Sequence, residues 1–107
     1  MRKKSLLSAL AVTFVLFFSF EAAIAATHTI AVEGMKFIPE TVTVKVNDTI
    51  IWVNKDFFSH TATAEKKRFD SGEIKAGESW KYVVKSKGSF IYVCTLHPTM
   101  KGYLIVN

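Results

Sequence analysis

Cys94, His97 and Met100 stand three residues apart in the segment Cys94-Thr95-Leu96-His97-Pro98-Thr99-Met100. A thiolate, an imidazole and a thioether therefore fall within seven residues, between an apolar run and a Gly-led one. A second imidazole, His60, lies 34 residues before Cys94 in Ser59-His60-Thr61. Two His nitrogens, one Cys sulfur and a weaker Met sulfur suit copper in both of its common oxidation states. A near-trigonal arrangement of these donors lets the metal change charge with little rearrangement.

Each residue has a plainer reading alone. A His in a strand is commonly a surface or satisfied core residue. A free Cys is commonly a small buried hydrophobe. His97-Pro98 makes an ordinary turn, and Met100 an ordinary core plug. The spacing C-x2-H-x2-M, with one upstream His and a single Cys, outweighs these separate readings. Pro98 removes a backbone donor and stiffens the turn that must bring positions 94, 97 and 100 together. Gly102 is expected to permit close backbone approach where the last strand begins. Thr61 and Thr95 are the candidates for hydrogen bonds around the sulfur, which tune such a site.

The elements that must position these residues are strands. Thr41-Val42-Thr43-Val44-Lys45-Val46 alternates polar and apolar, as a half-buried strand does. Asn47-Asp48 turns the chain. Thr49 to Asn54 follows, with Trp52 expected in the core. Ser59 to Ala64 alternates again and places His60 near a strand start. Ser79 to Lys85, Ser89 to Cys94 and Gly102 to Val106 complete the series, and Thr27 to Glu33 is expected to open it. No window beyond residue 26 has helical periodicity. The expectation is an all-β sandwich, with Asp56–Ser59 and Lys66–Ala76 as its longer connections.

The first 25 residues read as a cleavable signal peptide. Arg2, Lys3 and Lys4 precede an uncharged apolar run from Leu6 to Phe20, and Ala23-Ile24-Ala25 fits a small-x-small cleavage site. Cleavage falls after Ala25 or after Ala26, and residues 26–107 form one domain. The apolar run is short for a membrane span; an uncleaved anchor is the alternative. Removing Arg2, Lys3, Lys4 and Glu21 leaves 11 basic and 8 acidic residues and lowers the net charge from +5 to +3. That mild charge favours acidic protein partners and gives no case for nucleic acid. An exported chain with one Cys forms no internal disulfide, and a metal bond is one way to occupy the thiol.

The chain resembles the cupredoxin family of small type 1 copper proteins, nearest the amicyanin and pseudoazurin group of its plastocyanin-like branch. The resemblance runs from Gly34-Met35-Lys36-Phe37 and Pro39-Glu40-Thr41-Val42-Thr43-Val44 through Ile51-Trp52-Val53-Asn54 to Gly88-Ser89-Phe90 and Tyr92-Val93-Cys94. The C-x2-H-x2-M loop has amicyanin-type spacing. The resemblance implies one copper ion held strongly by His60, Cys94 and His97 and axially by Met100. It implies a Greek-key sandwich of about eight strands with copper at one end. It also implies that the His97 ring edge reaches the surface and acts as the electron port. Together with the leader, the expectation is a monomer, periplasmic or otherwise exported, that exchanges single electrons with redox proteins docking near His97. Thr61 stands where many relatives carry Asn. Leu96 and Thr99 stand where amicyanins usually carry Pro and Phe.

Other residues carry further expectations. Phe57 and Phe58 form either an apolar docking rim, with Pro98, or a core plug. Lys66, Lys67 and Arg68 make a solvated charge run that could steer an acidic partner. Met35 is expected in the core and His28 on a surface strand. An enzyme with a second copper centre needs further His ligands, and only His28 is unassigned; a binuclear centre needs a second Cys. The rival is a module that stores or delivers copper without shuttling electrons.

Overall fold

The computed structural model describes residues 11–17 and 24–107. Residues 11–17 form neither helix nor strand, and residues 1–10 and 18–23 of the expected leader lie outside the described residues. Eight strands follow: β1 (Thr27–Glu33), β2 (Lys36–Ile38), β3 (Thr41–Val44), β4 (Thr49–Asn54), β5 (Thr63–Ala64), β6 (Ser79–Val83), β7 (Gly88–Cys94) and β8 (His97–Val106), with one 3₁₀ turn at Glu65–Lys67. They form two four-stranded sheets, ordered β2-β1-β4-β6 and β3-β8-β7-β5. β1 runs parallel to β4 and β3 parallel to β8; the other pairs are antiparallel. Every connection from β2 through β7 passes from one sheet to the other, which wraps both sheets around a shared core.

The alternation expected from Thr41 appears in β3, where Val42 and Val44 face in and Thr41 and Thr43 face out. In β4, Ile50, Trp52 and Asn54 are buried, while Thr49, Ile51 and Val53 are half-buried. Trp52 packs against Phe69 at 5.6 Å, Trp80 at 5.4 Å and Tyr92 at 5.5 Å between ring centroids. Cys94, Met100, Ile30, Val32, Phe37 and Leu104 belong to the same buried cluster.

Four local expectations need correction. The stretch from Ser59 does not alternate, because residues 60–64 are all buried and only Thr63–Ala64 is strand. The last strand begins at His97 rather than Gly102, with an irregularity in its pairing beside Val93 and Cys94. Gly102 therefore lies mid-strand, opposite Tyr92. Met35 is 39% exposed, not core. It shares positive φ with Gly34 (60° and 61°) in the tight turn between β1 and β2, which turns its side chain out.

Gly102 is required by close approach, not by its own dihedrals. A Cβ there would collide with Cζ and Oη of Tyr92, a fully buried ring. Burial also raises the Tyr92 phenol to about 12, so it stays neutral. Gly102→Ala is expected to destabilise the fold by about 3 kcal/mol, the upper part of the usual overpacking range. Chemical denaturation checks this, and an unchanged midpoint would mean the ring has room to shift.

Candidate metal centre

Asn54, the inward residue ending β4, organises the loop that carries the first imidazole. Its Nδ2 donates to the carbonyls of Phe58 (2.7 Å) and Ile74 (2.9 Å), and its Oδ1 accepts from the Asp56 amide (2.9 Å). The loop then delivers His60 to a two-way backbone bridge with Ile74, at 3.1 and 2.7 Å. His60 is fully buried. Its Nε2 lies 2.8 Å from Asp56 Oδ2. With the proton on Nε2 and donated to that carboxylate, Nδ1 keeps a bare lone pair.

Cys94 arrives from the other sheet, at the end of β7, and is fully buried. The two-residue turn Thr95-Leu96 pairs it with His97, the first residue of β8. His60 Nδ1 and His97 Nδ1 each lie 3.7 Å from Cys94 Sγ. One ligating atom from each of the three residues falls within 4.8 Å of the others. A metal in a trigonal plane, with bonds of about 2.3 Å to sulfur and about 2.0 Å to nitrogen as zinc makes, sets sulfur and nitrogen about 3.7 Å apart. The donor atoms are thus spaced for one ion bound among them. Met100, buried at 3% exposure, lies on the same strand as His97. This cluster fits one type 1 copper ion.

Thr61 stitches the two ligand segments together. Its amide donates to Cys94 Sγ at 3.3 Å, and its hydroxyl accepts from the Thr95 amide at 2.9 Å. The Thr61 and Thr95 hydroxyls are 3.1 Å apart, and Thr63 donates to the Thr61 hydroxyl at 3.1 Å. The expected pair therefore meets beside the sulfur, although the direct bond to sulfur is a backbone one.

Asp56 is the residue that sequence reasoning missed. Besides facing His60, it accepts the amides of Gly34 (2.7 Å) and Met35 (3.1 Å) from the β1–β2 turn. Desolvation pushes its carboxyl up, but those two amides and the His60 contact together hold it below the ordinary carboxylate value. A signal was present: a ligating His commonly gives its other nitrogen to a carboxylate, and Asp56 stands four residues before His60.

The remaining expected residues divide by place. Phe57 is 94%, Phe58 61% and Leu96 53% exposed, so the core-plug reading of Phe57 and Phe58 fails. Pro98 and Thr99 are exposed as well, and His97 is half-buried. Lys66 and Arg68 instead border a hollow with Ser89, Phe90 and Ile91, in the first half of β7. Cys94 lies four residues further along that strand, about 13 Å from Phe90. His28 is half-buried, with Nε2 2.9 Å from Asp48 Oδ2, and takes no part in this centre.

Two facing sheets with a His-Cys-His cluster between their loops define a single-site copper protein of the sandwich class. The chain belongs to the cupredoxin-like domain family, which it matches over residues 6–106. It is 29% identical to amicyanin of Paracoccus versutus over 83 residues, covering 73% of this chain and 63% of that protein's length. It is 28% identical to amicyanin of Paracoccus denitrificans over 78 residues, covering 68% of this chain and 60% of that one. Among solved structures, a Cu(I) form of an amicyanin variant superposes with a TM-score of 0.71 at 25% identity, covering 81% of this chain and 87% of that chain. A Cu-containing nitrite reductase from Thermus scotoductus gives 0.70 at 26% identity, covering 76% of this chain and only 22% of that enzyme.

Proposed function

We propose that this protein carries single electrons between redox proteins in the periplasm, with His60, Cys94 and His97 as strong copper ligands and Met100 as the axial one. Bound copper would supply a one-electron Cu(II)/Cu(I) couple. The carrying observation is the pair of 3.7 Å separations between Cys94 Sγ and the two Nδ1 atoms. Donors already spaced to bond one ion need little movement when the charge of that ion changes, which favours fast exchange. Asp56 orients His60, and the Thr61 amide fixes the sulfur and tempers its charge. Half-buried His97 offers the route to the surface, and Phe57, Phe58, Leu96 and Pro98 flank the ligands as a rim for transient docking. Export follows from the leader reading, with residues 1–25 removed and the domain acting as a monomer. No helix among the described residues is long and apolar enough to cross a membrane. No substrate, nucleic acid or catalytic acid enters this reading, and the chain is not an enzyme in it.

The test loads the metal-free protein with Cu(II) and follows absorption, EPR and electron exchange with a small redox protein. Intense visible absorption and rapid exchange in both directions are expected. Colour without exchange, with ready loss of copper to a competing ligand, would favour storage or delivery instead. Met100→Leu should keep the colour and shift the reduction potential; an unchanged potential would remove Met100 from the ligand set.

A further inference from the structure

The end of the sandwich that carries His28 holds a buried carboxylate with no part in the metal centre. Asp48 is 4% exposed in the turn between β3 and β4. Its Oδ2 accepts the Lys45 amide at 2.9 Å and faces His28 Nε2 at 2.9 Å. Its Oδ1 accepts the backbone nitrogen of Ala26, also at 2.9 Å. The Ala26 carbonyl in turn accepts the Thr49 amide at 2.9 Å, so Ala26 is fixed on both sides just before β1.

We infer that the Ala25–Ala26 bond is the processing site and that the α-ammonium it releases on Ala26 becomes the charged partner of Asp48. This inference rests on the leader reading but not on the copper reading. Hydrolysis adds one water across that bond, giving a carboxylate on Ala25 and an amine on Ala26 that is protonated at neutral pH. The nitrogen that donates as a neutral amide in the precursor then donates as a cation at the same place. Charge-assisted hydrogen bonds are roughly twice as strong as neutral ones. Cleavage one residue later would discard both contacts of Ala26. The hollow around Asp48 is lined by Ile24, Ala26, His28, Thr43, Val44, Lys45 and Asn107, so His28 and Lys45 are the other titratable side chains facing it.

The sign of the pH effect follows. An ammonium paired with a carboxylate has its folded pKa raised above its unfolded value of about 7.7–8.0. Its contribution is complete below that value and disappears as pH rises through the folded pKa. At the acid end, the Lys45 amide, the Ala26 nitrogen and His28 lower Asp48 to about 2. That contribution is complete above its ordinary value of 3.8 and is lost as pH falls toward about 2.

The full precursor is exported from a bacterial host, and the mature protein is weighed by intact mass spectrometry. A chain beginning at Ala26 is expected; one beginning at Thr27, or an uncleaved chain, overturns the inference, and the uncleaved chain overturns the leader reading as well. Thermal melts from pH 6 to 10 then compare the chain beginning at Ala26 with one beginning at Ile24. The Ala26 form should melt higher at pH 6 and lose that advantage above pH 8, whereas superimposable curves refute the pairing. Asp48→Asn should erase the difference. If that variant does not fold, acetylating the Ala26 amine should erase it. Copper-dependent colour should be the same in both chains, which keeps this result separate from the metal centre.

Discussion

Cys94→Ser is expected to abolish the visible absorption of the copper-loaded protein while leaving the sandwich folded. The band arises from charge transfer out of a thiolate, and a serine hydroxyl near neutral pH offers neither the soft electron pair nor the negative charge. The substitution changes one atom at a fully buried position. A buried hydroxyl without a partner costs about 1–3 kcal/mol, but the Thr61 amide that donates to sulfur would donate to the new oxygen. The metal-free variant should therefore melt near the parent. The difference should appear on adding copper, because a ligand bound only by the native state stabilises it by about 4 kcal/mol at a thousandfold excess over Kd. The parent should show that upward shift and the Ser variant little of it. Calorimetry with and without Cu(II), beside absorption spectra, checks both parts; retained colour would refute thiolate ligation.

How much of this centre was legible depended on whether a residue's role is written in local pattern. β4 was legible because Thr49 to Asn54 is a run of β-branched and aromatic residues following a turn, although its sequence does not alternate. β1 was legible from a similar β-branched content, with Ile30 and Val32 facing in. β2 was not, since three residues bearing one inward Phe37 carry too little periodicity. The start of β8 was hidden by Pro98 and Thr99, which read as loop, and by the irregular pairing that lets the strand begin at a ligand. The segment after His60 misled in the opposite sense. Its polar threonines alternate like an exposed face, yet Thr61 and Thr63 are buried because they bond to each other and to the cysteine loop. Cys94, His97 and His60 were legible because donor chemistry restricts which residues can hold a metal. Asp56 was overlooked although it stands four residues before His60, because an Asp beside Lys55 looks like ordinary loop charge. Its role depends on the β1–β2 turn, which folds back from more than 20 residues away in sequence.

Asp56→Ala should weaken copper binding by 10- to 100-fold, about 1.4–2.8 kcal/mol, the range seen when the outer partner of a ligating His is removed. The carboxylate fixes the His60 tautomer by accepting from Nε2 at 2.8 Å, and without it the ring can turn or carry its proton on Nδ1. The same change strands the amides of Gly34 and Met35, so metal-free stability should fall too. Asp56→Asn separates the two effects. Its carbonyl, in the place of Oδ2, can still accept from His60 and Met35, but its amide group is a donor facing the Gly34 amide. The Asn variant should therefore bind copper better than the Ala variant while remaining less stable than the parent. An acid titration gives an independent reading. Because the Asp56 carboxyl is held below its ordinary value, its contribution is complete above about pH 4 and disappears as pH falls through the lower folded value. The parent should lose stability over that interval, and the Ala variant should lose less. Equal copper affinities in the parent and both variants would mean that the His60 ring is held by packing alone, and that the carboxylate serves only the turn.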